Sequence, residues 1–369
     1  MQDYKILVED FIQKNILSKT GESYFFPNEE DGLYYELDFI GKILCRKYIK
    51  GQSSFYLIDS CRVQAGAIHK YHAVLVFKGM LELIFRTSAM MVGAERRQNE
   101  PDGVFYEPWR NNLSLWINGG KFDWENEEYW WLHDPMHKKV FDMLVEAMFI
   151  FLVLHEIGHF HNLHGERRHE RTTENPSLME HLVFIHKAVS DSGDVDEVDE
   201  AGKLDAHARE IIADTYAFQF MLQELKECFF PVSEYKGADV GALSAANFAI
   251  CIYAVASFFW ALSFQRPMRN DTQKDHYPSH AFRLSSIEAA SLEHKVCRRD
   301  SALTRSGLEA GMKSYTSKLT CAANNNEFVE WRLSMSIPAN QKHYEKICAI
   351  TANWSNLMFG VRDEEWLKS

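Results

Sequence analysis

The chain has 369 residues, enough for two or three structural units, and its 46% hydrophobic and 25% charged residues are those of a globular protein with a large core. A net charge of −12 argues against a phosphate-backbone binder, and the only basic clusters are short, such as Arg167-Arg168 and Arg298-Arg299, so no nucleic-acid partner is expected. The seven cysteines (Cys45, Cys61, Cys228, Cys251, Cys297, Cys321, Cys348) are widely spaced without a CxxC, which argues against a disulfide framework and a cysteine zinc site; with no signal-like stretch after Met1, they point to a cytoplasmic protein.

Residues 1–20 have Ile6, Leu7, Phe11, Ile12 and Ile16 near helical spacing and predict a short amphipathic helix. Residues 33–77 are rich in β-branched and aromatic residues and predict strands: Tyr34, Tyr35, Leu37, Phe39 and Ile40 leading into Ile43-Leu44, then Phe55–Ile58 and Ala73–Phe77. Met80, Leu81, Ile84, Phe85 and Met91 switch residues 79–92 to a helical period. Residues 93–135 mix Gly, Asn, Pro and Trp, as in a long loop or small aromatic subdomain.

From about residue 137 onward almost everything reads as helix: 138–163, an amphipathic segment at 177–189, 203–229, 242–264, and 284–369 with a break at Asn324–Asn326. Residues 191–200 hold six acids in ten positions and read as a solvated loop, since their spacing does not match a calcium loop. The 23 residues Ala242–Phe264 carry no charge, which is long enough to span a bilayer. Their serines, Asn247 and many alanines, with no second such segment, favour a buried core helix over a span.

The strongest chemical signal is His155-Glu156-Ile157-Gly158-His159. Each helical residue turns about 100°, so positions four apart lie about 40° from each other around the axis. His155 and His159 therefore present two imidazoles side by side, as tetrahedral zinc requires, and Glu156, one step round, is placed as a general base. The preceding run Ala147–Leu154 is apolar all round, so the helix is expected to be buried, where these polar groups need a partner such as a metal.

A catalytic zinc takes a third protein ligand. The pattern with a third histidine six residues beyond the second fails, because that position is Gly165 and the required glycine is Asn162. His161 and His164 lie at the same helix end and are expected at the surface or behind the ligands. Glu210 and Asp214 lie one turn apart on a second helix: Glu210 is the expected third ligand, and Asp214 can accept the far ring N–H of a histidine ligand. The small residues Ala213 and Ala217 beside them favour close helix packing.

HEIGH followed by Glu210-x-x-Ala213-Asp214 resembles the gluzincin metallopeptidases, and within them the branch that includes the CAAX-prenyl-protease and HtpX type and the phage-exclusion protease Lit. His276-Tyr277-Pro278-Ser279-His280-Ala281-Phe282-Arg283 is similar to the His-Pro-Ser…Arg element of that branch, with Tyr277 inserted. The resemblance implies that Arg283 sits near the metal, bracing the glutamate or holding substrate. It also implies that residues 62–92 form the strand pair and helix before the metal helix, with one strand edge binding peptide by strand addition.

The expectation is an α+β protein in three parts. Residues 1–136 give a small mixed sheet with a helix and the candidate peptide-binding edge, 137–290 a helical zincin-like core, and 291–369 a helical extension. The expected activity is zinc-dependent peptide-bond hydrolysis of a protein or peptide substrate, with Glu156 as base and Arg283, His280, His276 or Tyr216 as candidates near the reacting carbonyl. A role in bacterial phage defence follows from the resemblance; the alternatives are a zinc-containing regulatory protein or a membrane-associated HtpX-like protease.

Overall fold

The computed structural model describes residues 2–96, 109, 112–127, 129–165, 182–184, 200–230, 237, 239–265, 278–293, 301–323 and 327–354. The acidic stretch 191–199, His276, Tyr277 and the Asn324–Asn326 break lie outside them.

The fold is α+β, mostly helical with one small mixed sheet. Helix α1 (Gln2–Ile12), prolonged by a π turn and a last turn to Thr20, precedes β1 (Ser23–Phe25), α2 (Leu33–Tyr48), β2 (Ser54–Asp59), β3 (Ala65–Ile68) and β4 (Ala73–Phe77). Next come α3 (Lys78–Arg96), α4 (Leu113–Ile117), α5 (Pro135–His161), β5 (Leu182–Phe184), α6 (Glu200–Phe229) and α7 (Val240–Ser263). The chain continues through α8 (His280–Glu293), α9 (Ser301–Ala323), α10 (Glu327–Leu333) and α11 (Pro338–Ile350).

The sheet order is β1-β2-β4-β3-β5, with β2 and β4 parallel and the other pairs antiparallel. Strand alternation divides it cleanly. Tyr56, Ile58, Ile68, Ala73, Leu75 and Phe77 face Val8, Ile12, Ile16 and Leu17 of the N-terminal helix. Phe55, Leu57, Ala65, Ala67, Val74 and Val76 face the main helical core. That core is continuous, running from Tyr34 through Trp331.

Residues 33–48 are a helix rather than strands. Tyr34, Leu37, Gly41, Leu44 and Cys45 repeat at helical spacing and are buried, whereas Tyr35, Phe39 and Ile43 are exposed. Here the period of burial outweighs the β preference of the residue types. A second correction falls in 177–189, where Leu182–Phe184 is a strand added to β3 and not part of a helix. Its partner is more than a hundred residues away, so no local period reveals it.

Helix α5 packs against α2, α3, α6 and α7. Asp134 caps it by accepting from the Met136 and His137 N–H groups, and Pro135 occupies the first turn, where its missing N–H costs nothing. From Ala147 to Phe160 every residue is buried. Helix α7 is buried without interruption from Cys251 to Ser263, packed against α3, α5, α6, α8 and α9. Protein contacts therefore account for its uncharged second half. Among the described residues of 93–135, Trp109 meets Trp116 and Trp131 edge to face at 5.7 and 5.6 Å between ring centres.

Candidate metal centre

The centre forms where the C-terminal end of α5 crosses the middle of α6. Gly158 permits this crossing: a Cβ there would lie 3.2 Å from both Cα and the carbonyl oxygen of Ala213. With both positions small, the helix backbones approach closely enough for side chains of one to reach those of the other.

His155, His159 and Glu210 are brought together and buried. Their ligand atoms all lie within 4.8 Å of one another. His155 Nε2 is 3.2 Å from His159 Nε2 and 3.5 Å from Glu210 Oε2, and His159 Nε2 is 3.7 Å from Glu210 Oε1. This group can hold a metal ion.

The surrounding hydrogen bonds fix which ring nitrogens are free. Arg283 grips Asp214 with two donors, Nε to Oδ2 at 2.7 Å and Nη2 to Oδ1 at 2.6 Å, which keeps the carboxylate ionised. Asp214 Oδ1 then accepts from His155 Nδ1 at 2.8 Å, leaving Nε2 as the ligand atom. His159 is held by a second route. His164 Nε2 lies 2.9 Å from the Trp354 carbonyl oxygen, which can only accept, so Nε2 carries the proton. His164 Nδ1 is thus the acceptor for His159 Nδ1 at 2.8 Å, and His159 Nε2 is turned toward the centre with its lone pair free.

Two lone pairs 3.2 Å apart repel unless a cation lies between them. The charges lead to the same conclusion, because among the described residues Glu210 and Asp214 face a single guanidinium, that of Arg283. Burial disfavours the charged His155 imidazolium, yet the Asp214 and Glu210 carboxylates outweigh it and hold its pKa at about 9. Burial, reinforced by His155, His164 and His69, keeps His159 neutral against the pull of Glu210. Burial also works against ionisation of Glu210, but His155, His159 and Arg283 bring it down to about 2. One proton therefore serves two imidazoles at the place where a metal would sit, and metal entry would displace it.

Glu156 is wholly buried, and among the described residues neither of its carboxylate oxygens has a hydrogen-bond partner. Burial pushes its pKa up to about 8. An orphaned carboxyl beside three convergent ligand atoms is costly to keep as mere packing.

Arg283 lies 3.7 Å from Glu210 Oε2 and rests on the Phe259 ring at 4.9 Å, so it braces both acids of α6 from α8. His280 opens α8 and packs on the same Phe259 ring, at 5.8 Å between centres. Helix α7, which supplies Phe259, is thus the floor under this brace. The Tyr216 hydroxyl is buried and has no hydrogen-bond partner among the described residues, its ring lying against His161 and Phe220.

Two features escape sequence reasoning. Through His164, the backbone carbonyl of Trp354 orients a candidate ligand 195 positions earlier, with the Trp354 indole anchored on Asp205 at 2.6 Å. His69, in the turn between β3 and β4, brings its ring to 6.5 Å from that of His159. A carbonyl has no residue-type signature, and a lone histidine in a turn has no spacing to read.

Comparison with protein-family models, with curated proteins and with solved structures gave no match, so the centre stands on its own geometry.

Proposed function

We propose that this protein is a zinc-dependent endopeptidase with a zincin-like core, acting on a protein or peptide substrate in the cytoplasm. The observation that carries the reading is the convergence of two Nε2 lone pairs and the Glu210 carboxylate beside the unpartnered Glu156. Two imidazoles and one carboxylate suit zinc and leave a fourth position open. Zinc held there would lower the pKa of a water molecule and polarise a substrate carbonyl.

The chain's own groups supply the rest. Glu156 accepts a proton from the attacking water at a carboxylate oxygen and delivers it to the leaving amine nitrogen. Both Glu156 oxygens are left without a protein partner among the described residues, so either can take a water proton there. Asp214 and Arg283 hold the ligands in place and do not touch the reacting atoms in this reading. Among the described residues, Cys45, Cys61, Cys228, Cys251 and Cys348 form no disulfide. The resemblance to Lit extends the proposal to cleavage of a host factor in phage defence.

Glu156→Gln is the direct test. It retains the ligands and removes the base, so metal content should stay stoichiometric while cleavage of a broad protein substrate falls by at least about 100-fold. Unchanged cleavage would remove Glu156 from its role. A biological effect that survives in the variant would favour the regulatory zinc protein instead.

A further inference from the structure

The strand that closes the sheet beside the metal centre belongs to a distant part of the chain. Leu182–Phe184 runs antiparallel to β3, with Leu182 opposite Ile68, Val183 opposite Ala67 and Phe184 opposite Gly66. Strand β3 packs against α5 and leads directly into His69, beside His159. The register therefore puts the Leu182 end of β5 nearest the centre and the Phe184 end farther away.

Backbone alternation shows which edge groups are engaged. Phe77 N–H donates to the Gln64 carbonyl at 3.0 Å, so 64 and 77 form a hydrogen-bonded pair of the β3–β4 ladder. Two residues on, Gly66 also bonds toward β4, and Ala65 and Ala67 direct their N–H and C=O groups the opposite way, toward β5. Ala67 and Val183 are thus the pair that exchanges both backbone bonds. These are the groups that an extended peptide would need for pairing with β3 by strand addition.

We propose that Leu182–Phe184 is a built-in occupant of the peptide-binding edge of β3, and that an extended substrate pairs with β3 only after this strand leaves. The substrate part of this statement rests on the endopeptidase reading. A strand of three residues holds few ladder bonds, so a longer extended peptide gains bonds by replacing it. The preferred ligand is an extended apolar segment like the one it displaces.

The test measures binding, not turnover. A labelled peptide reproducing residues 179–187 is titrated by fluorescence anisotropy into the full chain carrying Glu156→Gln, and into the same chain carrying Val183→Pro as well. Proline removes the N–H that Val183 gives to β3. The peptide is expected to bind the Val183→Pro chain at least ten-fold more tightly, and a peptide with proline at the equivalent position to bind neither. Equal affinity for both chains, indifference to proline in the peptide, or no binding to either overturns the proposal. A second measurement needs no variant in β5. In hydrogen exchange of the Glu156→Gln chain, saturating peptide should expose the Val183 amide while Ala67 stays protected; continued protection of Val183 overturns the proposal. Because neither readout uses catalysis, absent metal or absent cleavage with the expected binding would sink the endopeptidase reading alone. Metal-dependent cleavage without the expected binding would sink this proposal alone.

Discussion

His164 Nδ1 lies 2.8 Å from His159 Nδ1, and the other nitrogen of His164 bonds the Trp354 carbonyl, so a candidate metal ligand on α5 is oriented by backbone that follows α11. His164→Ala removes the acceptor that fixes the His159 tautomer. The expected loss of metal affinity is about 10–100-fold, read by competition with a chromophoric chelator. Full affinity in the variant would show that the His159–His164 bond has no part in holding the ligand.

Glu210→Ala removes one of three ligand atoms and should reduce bound metal from one equivalent to a small fraction after dialysis, by elemental analysis. Equal, stoichiometric metal in parent and variant would reject Glu210 as a ligand.

Arg283 is buried, with two bonds to the Asp214 carboxylate. Arg283→Met leaves a buried carboxylate without its counter-charge. Loss of one partner of such a pair costs about 3–5 kcal/mol, and urea unfolding of the metal-free chain should show a destabilisation of that order. A change below about 1 kcal/mol would mean that the pair is not closed in solution.

The metal-free chain should lose stability as pH rises from neutral to about 9. His155 has its pKa raised from 6.5 to about 9 in the folded state, so its contribution is complete below pH 6.5 and disappears as pH climbs through 9. Glu156, raised from 4.5 to about 8, acts in the same direction. Glu210 and Asp214 are lowered, and their contribution is lost instead on the acid side. Melting of chelator-treated protein should therefore occur at lower temperature at pH 9 than at pH 6.5. Metal saturation should shrink or reverse the difference, because metal takes the proton's place. A metal-free melting temperature that rises over this range would contradict the assigned network.

The sequence alone determined the local half of the centre. Helical geometry puts His155 beside His159 and Glu210 beside Asp214 whatever the rest of the chain does, because residues four apart share a helix face. The uniformly apolar run before His155 likewise marked a buried helix, and 147–160 is buried throughout. Local pattern was less reliable at residues 33–48, where aromatic and β-branched residue types suggested strands and the burial period made a helix.

Glu210 and Asp214 were matched to the histidines from residue type alone, but tertiary structure decided how the distant segments meet. The approach of α6 to α5 at Gly158 and Ala213 turns two separate pairs into one site, and the Trp354 carbonyl sets the proton on His164. The union of β5 with β3 likewise depends on a partner more than a hundred residues away. The physical reason is common to all three. Backbone groups and close helix crossings act through space, and a strand edge accepts any extended segment that reaches it, so neither leaves a period in the sequence of its partner.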